Sequence, residues 1–321
     1  MNTTGAIVVF GSINMDLVAR VPRLPAAGET ISGHGFSTVP GGKGANQAVA
    51  CARLGAVTRL VGRVGDDVFG TALLDSLRGY GVDTTGATTA PGSSGIAVIN
   101  VDDRAENTIV IIAGANGRLD ATDLGRLETA LIGAEALLLQ LEVPLEAVLA
   151  AGRLARTRGV RVILDPAPAR PLPDELYALA DVLTPNESEA AALVGFPVTD
   201  RPAAERAAQV LRARGARQVI IKMGALGAYA HDGRHGQLFP AFPVAPVDTV
   251  AAGDAFNGAF AVRLTEGKPF EEAVRWGLAS GAIAVTRPGA QSAMPKREEL
   301  ERFLEAAPAI AGSKSSGSSN R

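Results

Sequence analysis

Aromatic residues are scarce: ten Phe, three Tyr and one Trp among 321 residues, or 4%. Any core must therefore be aliphatic and alanine-based, and a hydrophobic share of 47% suffices to bury one. The single cysteine, Cys51, excludes an internal disulfide and falls on the apolar face of a predicted helix, as a buried thiol. The three histidines, His34, His231 and His235, have neither metal-ligand spacing nor cysteine partners, and read as surface or loop residues. Charge of either sign is nearly absent in the balance. With 31 Lys and Arg against 33 Asp and Glu, the net charge is −2 and no basic cluster stands out, which argues against nucleic acid as a partner. No apolar run reaches the ~18 residues of a membrane span. The N-terminus has no charged leader, and Ala6–Phe10 is too short for an export signal, so the expected compartment is the cytoplasm. Interior linkers and repeats are also missing.

What is present is alternation. Short β-branched runs at Ala6–Phe10, Val57–Val64, Ala136–Leu141, Val160–Leu164, Val182–Leu183 and Gln218–Lys222 alternate with helical stretches. The helices are predicted at Lys43–Leu54, Val68–Tyr80, Leu145–Arg158, Ala203–Arg214 and Asp254–Glu266. This predicts an α/β fold, with a largely parallel central sheet and helices on both faces. Two regions depart from the rhythm. Ser12–Val21 with Glu29–Val39, and Gly95–Val101 with Thr108–Ala113, read as hairpin-type strands. Residues 1–310 are expected to form one domain, and the Ser-, Gly- and Lys-rich end, 311–321, a disordered tail.

Two segments carry chemistry. In Asp248-Thr249-Val250-Ala251-Ala252-Gly253-Asp254, an acid and a turn of small residues lead into a helix that opens with a second acid. Free backbone N–H groups and the positive helix end suit developing phosphate charge, and Asp254 beside them can take a proton from an attacking hydroxyl. The plain alternative is an acidic helix cap. Pro40-Gly41-Gly42-Lys43-Gly44-Ala45-Asn46 is a second glycine-rich turn opening a helix. It is not a Walker A loop, because Gly44 follows Lys43 where a hydroxyl should stand. Gly41 and Gly42 let a small ligand approach backbone, and Lys43 and Asn46 offer polar groups to sugar hydroxyls.

Both segments resemble the signatures of the ribokinase-like (phosphofructokinase-B type) carbohydrate kinases, and the resemblance runs from Gly11 to about Leu304. It is also carried by Gly11–Asp16, Pro25–Thr30, Ala113–Asn116, Gln140–Glu142, Asp165–Arg170, Thr184–Glu189 and Ala284–Gln291. The ribose-phosphorylating members are the most similar. The resemblance implies a small β lid over a sugar site formed by Asn14, Asp16, Gly41, Gly42, Lys43, Asn46 and Glu142. It implies Asp254 as base, with the N–H groups of Ala252, Gly253 and Asp254 as an anion hole. Asn186 and Glu189 would help hold Mg²⁺ and the phosphates, largely through water, as suits a hard cation that keeps its hydration. Their alternative is a capping pair. The nucleotide would lie on Lys222-Met223-Gly224-Ala225-Leu226-Gly227, and Leu278 would pack against adenine. Lys222 replaces the Thr that many relatives carry. A K⁺ site would use Asp248 and the carbonyls of Val250, Ala284, Arg287 and Gly289, with Ala293 replacing a Ser ligand. Ala251 stands where the wider family has Gly.

The activity so implied is ATP-dependent phosphorylation of D-ribose at its 5-hydroxyl by a homodimer joined through the lid. Alternatives are another sugar or nucleoside kinase of the same fold, such as a deoxyribokinase or fructokinase, or a sugar-binding regulator without catalysis. A regulator would not need Asp254, Asn186, Glu189 and Gly253 all intact. A dinucleotide oxidoreductase is disfavoured, since Gly-x-Gly-x-x-Gly is missing after the first strand.

Overall fold

A computed structural model describes residues 5–104 and 106–307. The tail forecast for 311–321 lies outside the described residues. Among the described residues thirteen strands form: β1 Ala6–Phe10, β2 Asn14–Val21, β3 Gly35–Gly41, β4 Thr58–Gly65, β5 Asp83–Ala90, β6 Gly95–Asp102, β7 Asn107–Ile112, β8 Ala134–Leu139, β9 Arg161–Leu164, β10 Val182–Leu183, β11 Gln218–Lys222, β12 Ala228–His231 and β13 Gly236–Phe239. The helices are α1 Lys43–Arg53, α2 Val68–Gly79, α3 Ala121–Ala130, α4 Leu145–Thr157, α5 Asp174–Leu179, α6 Glu187–Val194, α7 Arg201–Ala213, α8 Ala252–Thr265, α9 Phe270–Ala284 and α10 Arg297–Ala306.

Nine strands form the central sheet, in the order β13-β12-β11-β10-β9-β8-β1-β4-β5. From β11 to β5 every pairing is parallel, and β12 and β13 add an antiparallel edge. The period of two decides the layering. Ile7 and Val9 of β1 face one apolar cluster, with α1, α8 and α9, while Val8 and Phe10 face the other, with α4 and α7. Both faces are therefore buried, and β1 reads as a continuous apolar run instead of an alternating one. β4 and β8 both adjoin β1, so the chain reverses direction of travel across the sheet there. Such a switch point opens a crevice beyond the carboxyl ends of the strands, which is where ligands bind in open α/β sheets.

The two irregular regions form a separate four-stranded sheet, β3-β2-β6-β7. The predicted hairpins exist, and a parallel β2–β6 pairing joins them. The first returns later than expected, over Gly35–Gly41 and not Glu29–Val39. Strands β5, β12 and β13 were not anticipated. Asp83–Ala90 is rich in Thr and lacks the apolar run that marks a buried strand. His231 also corrects an expectation: it lies on β12 and is buried, not at the surface.

Candidate active site

The crevice is built first by α1. A Cβ on its N-cap, Gly42 (φ 90°), would lie 2.7 Å from the Asn14 backbone nitrogen. One on Gly44 would lie 2.6 Å from the nitrogen of Ser12. Only glycine lets this first turn rest directly on the chain leaving β1. Ser12 then ties the turn down. Its carbonyl accepts the Ala45 N–H at 2.9 Å, and its hydroxyl donates to Glu142 Oε2 at 2.6 Å. The Lys43 N–H donates to the same carboxylate oxygen at 3.1 Å. Glu142 follows β8, so the pair spans the switch point, and Glu142 supplies the cap that Gly42 cannot.

The second element is α8. Its N-cap, Ala251, is left-handed (φ 57°, ψ 11°) and offers no side-chain cap. Asp254 does not cap either. It lies in the first turn, 5% exposed, with Oδ2 accepting from Asn46 Nδ2 and Oδ1 from Gln47 Nε2, both at 3.0 Å. The capping alternative is thus set aside for this acid. Burial pushes the Asp254 carboxyl up to about 6, against the pull of Lys43 and the two amide donors and with the help of Asp165. Lys43 is half-buried. Burial pulls its ammonium down, but Asp254, Asp165, Glu142 and Glu189 outweigh that and hold it above its ordinary range.

Asp165 joins this centre, although no role was expected of it. Gln47 Nε2 donates to its Oδ2 at 2.9 Å, and Lys222 Nζ donates to its Oδ1 at 3.0 Å. A Cβ on Gly253 would lie 3.3 Å from the same Nζ. An ammonium therefore stands beside the first turn of α8, where N–H groups lack intrahelical acceptors and the dipole is positive. Ala252, the third expected anion-hole donor, differs: its N–H points to the Thr249 carbonyl at 3.4 Å.

Around the lid, Asn14 Oδ1 accepts from Asn116 Nδ2 at 2.6 Å. Asn116 also bonds the N–H and carbonyl of Ile13, which pins the exit of β7 to the entry of β2. Asp16 lies beside Gly41, where a Cβ would come within 2.7 Å of its carboxyl carbon. Burial, then Glu142 and Asp254, push the Asp16 carboxyl up to about 7.

On the other side, Asn186 and Glu189 form the capping box weighed as an alternative: Asn186 Oδ1 accepts from Glu189 N–H, and Glu189 Oε2 from Asn186 N–H, both at 2.8 Å. Glu189 is held up by burial and by Asp165, against the pull of Lys222. In the loop after β11, Met223 is buried in the core, and its N–H closes the loop on the Gly227 carbonyl at 2.8 Å. Gly224 and Gly227 are both at positive φ, Leu226 is exposed, and Ala225 lies in the turn between. Leu278 packs half-buried against the core. Asp248 ties two loops together, accepting from Val250 N–H at 3.0 Å and Gly289 N–H at 2.9 Å. The Ala284 carbonyl accepts from Arg287 N–H at 3.3 Å, and Ala293 is buried. Among the described residues no group of three or more His, Cys, Asp or Glu could hold a metal ion by itself. Two clefts of about 560 and 490 Å³ open elsewhere, beside Arg59 and Asp83 and beside Arg161 and Asp181; none of the expected site residues lines them.

Ser12, Gln47, Asn116, Gln140 and Asp165 also join the centre, although no role was expected of them. All five lie inside, or in the case of Gln47 directly after, the segments that carry the resemblance, and that placement was their one signal.

Known proteins can be set beside this geometry. The family model "pfkB family carbohydrate kinase" matches residues 5–297. The chain is 43% identical to the ribokinase of Haemophilus influenzae over 300 residues, covering 93% of this chain and 98% of the relative. It is 43% identical to the ribokinase of Bacillus subtilis over 303 residues, covering 93% and 99%. A deoxyribokinase of Salmonella typhi is 38% identical over 300 residues, covering 93% and 98%. Among solved structures, the ribokinase of Arabidopsis thaliana complexed with ribose and ATP superposes with a TM-score of 0.87 at 34% identity, covering 94% of this chain and 99% of that one. A match of this length, on the same two-sheet architecture, leaves no room for a shared fragment alone: the chain belongs to the pfkB family of carbohydrate kinases.

Proposed function

We propose that this chain transfers the γ-phosphoryl group of ATP to the 5-hydroxyl of D-ribose. The observation that carries the reading is Asp254, a buried carboxylate in the first turn of α8 with both oxygens held by α1. The proton of the acceptor hydroxyl goes to Asp254. The freed oxygen attacks the γ-phosphorus, the bond to the β,γ-bridging oxygen breaks, and ADP leaves. Charge gathering on the transferred group faces the N–H groups of Gly253 and Asp254 and the Lys222 ammonium. Asn14, Asp16, Lys43, Asn46 and Glu142, along the turn at Gly41 and Gly42, hold the sugar. Glu142 keeps Oε1 for this, since Oε2 is taken by Ser12 and Lys43.

Mg²⁺ fits the acidic side of the crevice. Asn186 and Glu189 would hold it through its waters, as suits a pair already committed to capping each other. When bound it neutralises phosphate charge. A monovalent cation such as K⁺ fits the turn that Asp248 ties to Gly289, with carbonyls of Val250, Ala284, Arg287 and Gly289 around it. ATP would lie along Lys222–Gly227, with Leu278 against the base. The need for ATP supports a cytoplasmic location.

The lid supports a homodimer. Phe36, Ile109, Val110, Ile111 and Ile112 are exposed on it, and β3 and β7 are open edges. A second copy covering that sheet would remove apolar surface and unpaired edges together.

Sugar-dependent ADP release over a panel of pentoses and hexoses, with ATP and Mg²⁺, tests the reading. D-ribose is expected to give the highest kcat/KM. A tenfold advantage for 2-deoxyribose, the substrate class of the similar deoxyribokinases, or for fructose or a nucleoside, would reassign the acceptor.

A further inference from the structure

We infer that Gln47, oriented by Gln140, is a positioning residue that fixes the carboxylate of Asp254 and couples it to the Asp165–Lys222 pair. The inference rests on Asp254 being the base. Gln47 is 1% exposed, and its single amide nitrogen serves two acids: Asp254 Oδ1 at 3.0 Å and Asp165 Oδ2 at 2.9 Å. Its oxygen accepts from Gln140 Nε2 at 2.7 Å. Only one orientation of the amide is possible. Reversed, its oxygen would face two carboxylates and its nitrogen another amide donor. Gln140 is fully buried, and it fits because Gly11 carries no Cβ, which would overlap Gln140 Oε1.

The consequence is geometric. Asn46 holds one oxygen of Asp254 and Gln47 the other, so consecutive residues of α1 keep the carboxylate from turning. A base held this way meets the acceptor hydroxyl without a reorientation step. Asp165 also disfavours the charge on Asp254. A donor between the two acids satisfies an oxygen of each. The charged groups around Asp254 are Lys43 on α1, Asp165 after β9 and Asp16 on β2, with Glu142 after β8 reached through Asp16 and Lys43, and Lys222 on β11 through Asp165.

The test compares pH profiles of the full-length enzyme with D-ribose and ATP. Gln47→Met keeps length and removes both donors. Its acid limb in kcat/KM should move up by about one pH unit, because donors to a carboxylate favour its ionised form. At neutral pH kcat should fall at least tenfold, with both KM values within about threefold. Gln140→Met leaves Gln47 in place but frees its amide, and should move the limb in the same direction by less. A purely structural role would lower Tm and leave the limb in place. An unmoved limb in a folded Gln47→Met, or in Gln140→Met if the first variant does not fold, overturns the inference. A wild type without D-ribose-dependent ADP release would instead sink the proposed function, before any variant is compared.

Discussion

At Asp254 burial, aided by Asp165, works against Lys43 and two amide donors over one carboxyl, and burial prevails, raising it to about 6. A base must be ionised to accept a proton. Activity should therefore rise with pH through about 6, and a kcat profile flat from pH 5 to 8 would contradict this. Asp254→Asn nearly preserves size. Because Asp254 does not cap α8, its loss should leave the helix start intact, while kcat falls roughly 10²–10⁴-fold. A variant that melts like wild type and keeps more than about a tenth of its kcat would remove Asp254 from the role of base. Ala251 makes a second residue-scale case. A non-glycine side chain at φ 57° is strained, so Ala251→Gly should raise stability by about 0.5–1 kcal/mol, read as a higher Tm.

At the scale of elements, the site is the contact between α1 and α8. Asn46 and Gln47 reach Asp254 only because the two helices approach closely at Gly258. A Cβ there would overlap the methyl of Ala50 and sit 3.1 Å from the nitrogen of Cys51. In a relaxed helix interior Gly→Ala stabilises by about 0.5–1 kcal/mol. Here the sign should reverse. Gly258→Ala should lower Tm and cost kcat about tenfold or more, since a shift of ~1 Å in catalytic groups is costly. Equal kcat and a higher Tm would show that the helices can part without harm. The same contact explains Cys51, buried in α1, where burial pushes the thiol up to about 12 and leaves it inert.

At the scale of the molecule, the proposed lid interface and the proposed cation site would each depend on something beyond the chain. Lysine at both Ile109 and Ile111 should turn a dimer into a monomer by light scattering, with melting of the central sheet little changed. A wild type already monomeric at micromolar concentration would refute the lid interface. At constant ionic strength, Na⁺ in place of K⁺ should lower activity several-fold, because carbonyl ligands suit the more weakly hydrated ion. Equal rates in both salts would mean that the turn held by Asp248 is ordered by the protein alone.

Much of this was legible in one dimension. Apolar runs of four to eight residues marked most parallel strands, because a strand buried on both faces must be apolar throughout. The glycine turn before α1 and the acid in the first turn of α8 were legible because their chemistry is local: free N–H groups, a dipole and a carboxylate within a few residues. The sequence by itself therefore determined the α/β class, the lid segments and the identity of Asp254, Lys43 and Asn46. Three things were decided only by the tertiary structure. Strand β5 owes its place to pairing with β4, not to its own Thr-rich composition. That Asn186 and Glu189 cap one another, whatever else they hold, is decided by their mutual bonds. Gln47, Gln140 and Asp165 are separated by up to 207 positions from their partners, and no local pattern signals a buried amide that will meet a distant acid. Whether such a group is a burial cost or a clamp depends on its partners, and only the packed chain brings them together.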